Sequence, residues 1–273
     1  MAGGREERIW RWLGWIACGL VLAFLLLPLL VIVPMSFTSG NLLVFPLPGL
    51  SLRWYDEVLS SGAWQDAAEN SLFIGVFATL LTLLVGVPAA IGLSGPSFRG
   101  KRIVVALILS PMIVPIVITA VGMYFFFVAI GLAGTYLGII LAHAVLGVPF
   151  VVVTVTATLS AFDWNLMRAA ASLGAPPLTA FRRVMLPIIS PGVASGALFA
   201  FATSFDEIVV ALFLAAPDQR TLPRQIFSGV REYVSPAIAA VATLLVLLAA
   251  LLLLTTEWLR HRARRLQASS LQA

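Results

Sequence analysis

The sequence contains several uninterrupted apolar runs, each long enough to cross a lipid bilayer as a helix. The runs 104–127 and 244–254 contain no charged residue. A membrane-spanning helix needs roughly 20 mainly apolar residues, and a bilayer admits only structures that pair their backbone polar groups internally. Strands of a membrane barrel would alternate apolar and polar residues, which these runs do not. The pattern therefore predicts an all-α membrane protein.

Apolar runs bounded by charge, proline and glycine predict six spans. They cover about residues 13–36, 70–93, 103–128, 135–160, 191–214 and 237–257. Composition agrees, because a chain with 60% hydrophobic and 11% charged residues cannot cover a water-exposed surface. The first run is too long for a cleaved signal peptide and has no small-residue cleavage site, so we expect it to stay as a helix. A polar segment after it, 37–69, predicts short amphipathic helices outside the membrane.

The basic residues predict the orientation of the chain. With the N-terminus inside, only Arg53, Arg220, Arg224 and Arg231 of the 17 Lys and Arg residues lie outside. Loops on the cytoplasmic side of membrane proteins carry an excess of Lys and Arg. We therefore expect both termini and the segment 161–190 to be cytoplasmic. The net charge of +5 is then a topology signal, and it does not predict nucleic-acid binding.

The segment 163–192, DWNLMRAAASLGAPPLTAFRRVMLPIISPG, predicts two helices joined by a tight turn. Asp163 is a good N-cap residue, and Gly174 suits the left-handed position that ends a helix. Pro176 and Pro177 suit the start of the next helix, where a missing N–H costs nothing. Small residues around Gly174 let a partner approach the backbone closely, while Leu173 offers an apolar side chain. A pair of short helices of this kind suits docking.

This segment resembles the coupling loop of the permease family of binding-protein-dependent ABC importers, which reads E-A-A, then L-G-A, then an apolar residue, any residue, and L-P. The matching residues here are Ala169 and Ala170, then Leu173, Gly174 and Ala175, then Val184, Leu186 and Pro187. The resemblance extends over roughly residues 65–260. It implies a type I ABC importer permease fold with six transmembrane helices and both termini in the cytoplasm.

The resemblance also implies partners. They are two ABC ATPase subunits, a second permease subunit and a periplasmic substrate-binding protein. The chain itself would lie in the bacterial inner membrane, in contact with membrane lipid. The loop would insert into a groove of the ATPase and transmit its closure to the membrane helices. The residues predicted to couple to the ATPase are Arg168, Ala169, Ala170, Leu173, Gly174, Ala175, Arg182 and Pro187. The family usually has Glu where this chain has Arg168, so docking is either weakened or compensated by an acidic partner.

The chain itself is predicted to be a non-catalytic subunit. GPSFRGK, residues 95–101, has the spacing of a phosphate-binding P-loop, but Arg102 follows where Ser or Thr would hold magnesium, and a membrane span precedes it. ATP hydrolysis is therefore expected on another chain, and no cofactor is predicted. His143 in the fourth span is more typical of a packed, hydrogen-bonded residue than of a ligand. His261 is the only other histidine, so no metal site is predicted either.

Two acidic residues interrupt the fifth predicted span, in SFDEIVV at residues 204–210. An acid near the centre of a membrane helix costs roughly 2.5 to 3.5 kcal/mol, so such residues usually face a cavity or a partner. One interpretation is a cation site on a transport pathway formed by Ser204, Asp206 and Glu207; the other is helix capping or an interhelical bond. Adjacent helical residues diverge by about 100°, so both acids can face one pathway only if the helix is broken.

The stretch SFDEIVVALFLAAP and the residues after it look most like permeases of spermidine and putrescine importers. The resemblance implies polyamine import by alternating access, with another small solute as the alternative, because related anion permeases also keep an acid here. A secondary transporter or channel is a further alternative, but it would need midplane coupling groups and often inverted repeats, which are not evident. No paired nucleophile and base supports a membrane enzyme.

The predicted organisation follows the chain in order. It has a cytoplasmic tail (1–12), a first transmembrane helix (13–36), a periplasmic segment (37–69), a permease transmembrane domain (70–257) containing the coupling loop (161–190), and a basic cytoplasmic tail (258–273). Within the domain, Gly192 and Gly196 form a G-x-x-x-G pair, as do Gly134 and Gly138. Both pairs predict close helix crossings.

Overall fold

The computed structural model describes residues 3–232 and 234–251, which are helical apart from loops and one isolated antiparallel bridge between Thr38 and Leu50. The helices are α1 (Gly3–Met35), α2 (Arg53–Ser60), α3 (Gly62–Ser94), α4 (Lys101–Ile113), α5 (Ile116–Ala129), α6 (Tyr136–Leu159), α7 (Asn165–Ser172), α8 (Pro177–Phe205), α9 (Val209–Leu214), α10 (Leu222–Glu232) and α11 (Pro236–Leu251). This confirms the predicted all-α class.

The described residues divide into two compact units, one formed by residues 3–62, 228–232 and 234–251 and the other by residues 63–227. In the first unit, side chains of α2 fasten the loop that follows α1. The indole Nε1 of Trp54 donates to the carbonyl oxygen of Thr38 over 2.9 Å, and the hydroxyls of Tyr55 and Ser36 lie 2.6 Å apart. The polar segment after α1 thus contains a short amphipathic helix, as the sequence predicts.

Helices α1, α3, α6 and α8 are each long and apolar enough to cross a membrane. They contain most of the predicted spans 13–36, 70–93, 135–160 and 191–214. Helix α11 covers the start of the predicted span 237–257, whose residues 252–257 lie outside the described part of the chain. The total number of spans and the side of the membrane on which each terminus lies remain predictions.

The predicted span 103–128 is not one straight helix in the structure. The chain bends by 109° between α4 and α5, and the break lies at Val114 and Pro115. Proline lacks the N–H that would continue the helix, and its ring disfavours helical geometry in the residue before it. Val114 accordingly has an extended ψ of 133°. The two helices are either one broken span or a re-entrant loop.

The core of the second unit consists of two apolar clusters along α6. One joins α6 to α3 and α8 through Val87, Ala90, Val151, Val155, Leu159, Ile189 and Ala200. The other joins α6 to α3, α5 and α9 through Ile74, Ala120, Phe127, Ile139, Ala142, Leu146, Val210 and Leu214. Helix α8 packs in the first cluster and α9 packs in the second. The break between α8 and α9 is therefore the point at which the chain passes from one cluster to the other.

Small residues at every fourth position of α8 allow it to pack closely against α6. We call this face the α8 seam; its residues Gly192, Gly196, Ala200 and Ser204 are all buried. A Cβ atom added at Gly196 would lie 2.7 Å from Thr154 Oγ1 and 3.0 Å from Val151 Cα. The predicted crossing at Gly192 and Gly196 is therefore confirmed.

The crossing predicted at Gly134 and Gly138 is wrong. Gly134 lies in the loop before α6 and has a φ of +73°. A Cβ atom at Gly138 would meet the carbonyl oxygen of Leu132, which belongs to the same loop and not to another helix. A four-residue glycine spacing indicates a crossing only when both residues lie within one helix.

Candidate coupling hairpin and transport pathway

The hairpin of α7 and the start of α8 begins with a capped helix. The carboxylate Oδ1 of Asp163 accepts a hydrogen bond from the backbone N–H of Asn165 over 2.9 Å. Helix α7 starts at Asn165, and Trp164 occupies the N-cap position, so the capping oxygen comes from one residue earlier. Asp163 thus satisfies one of the unpaired N–H groups at the start of the helix, as its residue type predicts.

The turn of the hairpin has the geometry of a Schellman motif. Gly174 has a φ of +79°, which L-residues with a side chain rarely adopt. Its N–H donates to the Ala171 carbonyl over 2.9 Å, and the Ala175 N–H donates to the Ala170 carbonyl over 3.0 Å. These two bonds pair the last carbonyls of α7 and fix the direction in which the chain leaves it. Helix α8 then begins at Pro177, as predicted.

The base of the hairpin is buried and its tip is exposed. Phe162 and Met185 belong to the core, and Met167 and Phe181 pack against it. At the tip, the Leu173 side chain is 88% exposed, and Leu178 is exposed as well. Of the other predicted coupling residues, Arg168, Ala169, Gly174, Arg182 and Pro187 are exposed, and Ala170 and Ala175 are partly buried. The structure thus brings these residues together on a hairpin that the core holds at its base.

Arg168 lies on the exposed side of α7. Its guanidinium donates to the side-chain oxygen of Asn165, one turn earlier in the same helix. The hydroxyl of Ser172 donates to the Arg168 carbonyl over 3.1 Å. Both contacts stay within α7, and the positive charge therefore remains available to a partner surface.

Helix α8 ends at Phe205, in the middle of the predicted fifth span, and α9 begins only at Val209. We call residues 206–208 the acidic turn. The Glu207 carboxylate Oε1 accepts the backbone N–H of Val210 over 2.8 Å and so caps α9, while Asp206 is exposed. The helix is broken at this point, as it must be if both acids are to face one transport pathway. Glu207 also caps α9, which is the role that the alternative interpretation gives to these acids.

Ser204 precedes the acidic turn and is buried. Its hydroxyl lies 2.7 Å from Nδ1 of His143 in α6. The sequence predicts His143 as a packed, hydrogen-bonded residue, and the structure confirms this. The sequence does not identify Ser204 as the partner of His143, because the two residues lie 61 positions apart in the chain.

Polar side chains at the other end of α9 form a second anchor that the sequence does not reveal. The amide of Asn70 donates to the carbonyl oxygens of Asp218 and Arg220 over 2.9 and 3.1 Å, and the Tyr136 hydroxyl donates to Asn70 Oδ1 over 2.7 Å. The hydroxyl of Ser71 accepts the N–H of Leu222 over 2.7 Å. These bonds fasten the segment after α9 to α3, and they link α3 to α6 through Tyr136. The only sequence signal is that polar residues stand at the ends of apolar runs.

Comparison with known proteins shows which family carries this arrangement. Residues 82–266 match the family model described as "Binding-protein-dependent transport system inner membrane component". The chain belongs to this family. It is therefore a permease component of an ABC-type transport system in the inner membrane, and this confirms the family predicted from the hairpin residues.

Individual relatives of this permease match over most of their length. The spermidine/putrescine transport system permease protein PotC of Escherichia coli (strain K12) is 31% identical over 237 residues, covering 87% of this chain and 89% of PotC. The putrescine transport system permease protein PotI of the same organism is 38% identical over 229 residues, covering 81% of each chain.

A solved structure confirms the fold. A bacterial ABC transporter involved in the import of the acidic polysaccharide alginate matches with a TM-score of 0.73 and 19% identity, covering 93% of this chain and 97% of that chain. A likeness at this level of identity supports the architecture of an ABC importer permease and does not bear on the substrate.

Proposed function

We propose that this permease moves polyamines of the spermidine and putrescine type across the inner membrane. The observation that carries the proposal is its similarity to PotC and PotI over more than four-fifths of the chain. The permease breaks no bond. Two ABC ATPases hydrolyse ATP, a second permease subunit completes the pathway, and a periplasmic binding protein delivers the solute.

The proposed orientation places the hairpin and both termini in the cytoplasm. It follows from the distribution of Lys and Arg, and it leads to the organisation of tail (1–12), first helix (13–36), periplasmic segment (37–69), permease domain (70–257) with coupling loop (161–190), and tail (258–273). The hairpin then lies on the side where ATP is hydrolysed.

The hairpin is suited to transmit motion because its base belongs to the core and its tip does not. We propose that Leu173 enters an apolar groove of the ATPase, while Ala169, Ala170, Gly174 and Ala175 let the groove approach closely. Arg168, Arg182 and Pro187 border this contact. Because α8 runs without a break from Pro177 to Phe205, with a π-helical turn at Phe181–Met185, a displacement of the hairpin also displaces the end of α8 that leads into the acidic turn.

The acidic turn supplies negative charge where a polycation would pass. Asp206 is exposed, and Glu207 is partly buried with one oxygen used for capping. A carboxylate attracts an ammonium group, and the attraction is stronger where water is partly excluded. We propose that these two acids line the route and that Ser204 supports them from the buried side.

Removing either charge is expected to weaken polyamine import. Asp206→Asn and Glu207→Gln keep the side-chain shape, and the amide introduced by Glu207→Gln retains an oxygen that can accept the Val210 N–H, so the change isolates charge. We expect the KM for spermidine uptake to rise about tenfold for each, since a lost ion pair of this kind costs on the order of 1.4 kcal/mol. Uptake of labelled spermidine by cells carrying the complete transporter measures the effect.

Glu69→Gln serves as the matched control, because Glu69 is an exposed acid near the start of α3 and outside the acidic turn. Its KM should stay at the wild-type value. Equal KM values for Asp206→Asn, Glu207→Gln and wild type would contradict a cation pathway at this turn.

Arg168→Glu restores the residue that the family usually has at this position. Because Arg168 is exposed, its replacement should leave the fold intact, and we expect transport with a generic family ATPase to be unchanged or improved. ATP-dependent uptake with that ATPase measures the outcome. A loss as large as that caused by disrupting Gly174 would show that Arg168 makes a specific contact.

The polyamine assignment is tested most directly on the cognate binding protein. Calorimetric titration with spermidine, putrescine and unrelated anions gives the ligand class, and uptake competition by the same compounds gives the class that the permease passes. Binding and competition by polyamines alone support the proposal. Tight binding of an anion, with no competition by polyamines, would overturn the substrate while leaving the permease function in place.

A further inference from the structure

The imidazole of His143 is enclosed in the second unit, immediately before the acidic turn in the packing of α6 on α8. The side chain is fully buried, and its Nδ1 lies 2.7 Å from the Ser204 hydroxyl. In the described part of the chain, Nε2 has no hydrogen-bond partner. Burying a polar ring that is only half satisfied costs free energy, so an apolar residue would pack here more favourably. The hydrogen bond to Ser204 is therefore the one interaction that histidine makes here and leucine could not make.

This bond lies at the end of the α8 seam. Gly192 and Gly196 meet Thr158 and Thr154 of α6, and a Cβ at Gly147 of α6 would lie 3.2 Å from Ala200 Cβ. Ser204 is the next seam residue and pairs with His143. Within the described residues, it is the one side-chain hydrogen bond that joins α6 to α8, and α8 ends one residue later at Phe205.

The far side of the acidic turn is fixed independently. Glu207 caps α9, and α9 packs on α5 and α6 through Val210 and Leu214. The carbonyl of Leu214 accepts the N–H of Gly134 over 2.9 Å. The placement of the turn thus depends on where α9 is held and where the last turn of α8 is held. The bond between His143 and Ser204 lies at the second of these points.

We propose that His143 is a positioning residue for transport: through Ser204 it holds the last turn of α8 against α6, and thereby places Asp206 and Glu207. This inference rests on the proposed role of the two acids. A hydrogen bond between these helices restricts rotation of the last turn more than contact between small side chains does, because it constrains direction as well as distance.

Kinetic variants test the inference. His143→Leu and Ser204→Ala should each raise the KM for spermidine about tenfold, with Vmax per folded transporter nearly unchanged. His143→Asn and Ser204→Thr each keep a group able to make the bond, so they should recover much of the loss. The double variant His143→Leu with Ser204→Ala should be no worse than either single variant, since both remove one interaction.

Thr82→Val is the matched control. The Thr82 hydroxyl is also buried and also bonds to α6, donating to the Ala144 carbonyl over 3.2 Å, but it comes from α3, and among the described residues it makes no hydrogen bond to α8 or the acidic turn. The Thr82→Val variant should at most lower the amount of folded protein, and it should leave the KM for spermidine unchanged. A KM for His143→Leu equal to that of Thr82→Val would reduce His143 to a packing residue and overturn the proposal.

A second measurement does not depend on the substrate. Cys18 is replaced by Ser, Asp206→Cys introduces a single thiol at the exposed position, and its labelling rate by a small charged thiol reagent is recorded in detergent. Adding His143→Leu should change this rate severalfold, whereas adding Thr82→Val should not. An unchanged rate overturns the positioning role even if spermidine is transported. A changed rate without spermidine transport supports positioning and counts against the polyamine proposal alone.

Discussion

Replacing Leu173 with aspartate is expected to abolish ATP-driven transport while leaving the permease folded. The side chain is 88% exposed at the tip of the hairpin, so its loss removes no core contact. If it fills an apolar groove of the ATPase, a buried charge there breaks the contact, and central apolar anchors of this kind are worth about 2 kcal/mol or more. We expect affinity for the ATPase to fall on the order of 30-fold, measured by pull-down and by uptake.

Leu173→Met is the matched variant, because methionine has a similar volume and retains the apolar contact. It should keep most of the transport activity. Leu178→Asp probes the other exposed leucine of the hairpin and shows whether the effect is local to the tip. Full transport by Leu173→Asp would contradict docking through this residue.

Replacing Gly192 with leucine is expected to prevent the packing of α6 on α8. A Cβ at this position would lie 2.9 Å from Thr158 Cβ and 3.1 Å from the Thr154 carbonyl oxygen, so even the first side-chain atom has no space. Overpacking typically costs about 1 to 3 kcal/mol, and a clash that involves backbone lies at the upper end. The amount of monodisperse protein extracted from the membrane measures this loss.

Gly92→Leu is the matched control, since a Cβ at Gly92 of α3 would meet no atom within 4 Å. Its yield should equal that of the wild type. Combining Gly192→Ala with Thr158→Gly removes the α6 side chain that the new Cβ would meet, and it should recover part of the loss that Gly192→Ala alone causes. Equal yields of Gly192→Leu and Gly92→Leu would show that the α8 seam is not a close contact in the membrane.

The hairpin was predictable in detail because its signals are local. Asp163, Gly174 and Pro177 each act within a few residues through capping, a left-handed φ and a fixed backbone angle, and the structure has all three in these roles. The apolar runs are similarly local, and they located the helices that carry the hairpin and the acidic turn.

Features that depend on distant residues were not predictable from one sequence. The pairing of His143 with Ser204, and that of Asn70 with the carbonyls of Asp218 and Arg220, depends on how helices pack, which no local pattern encodes. The break at Val114 and Pro115 had a local signal, but prolines also occur within the described helices, such as Pro88 in α3 and Pro149 in α6. A proline alone therefore does not distinguish a kink from an end.

We propose that a separate ATPase drives this permease through the hairpin, and a reconstituted transporter tests this most directly. Spermidine accumulation is measured in proteoliposomes that contain the two permease subunits and the binding protein, with and without the ATPase, each with ATP or a non-hydrolysable analogue. We expect accumulation only with both the ATPase and hydrolysable ATP, and none when Leu173→Asp replaces the wild-type chain. Accumulation without the ATPase would contradict it.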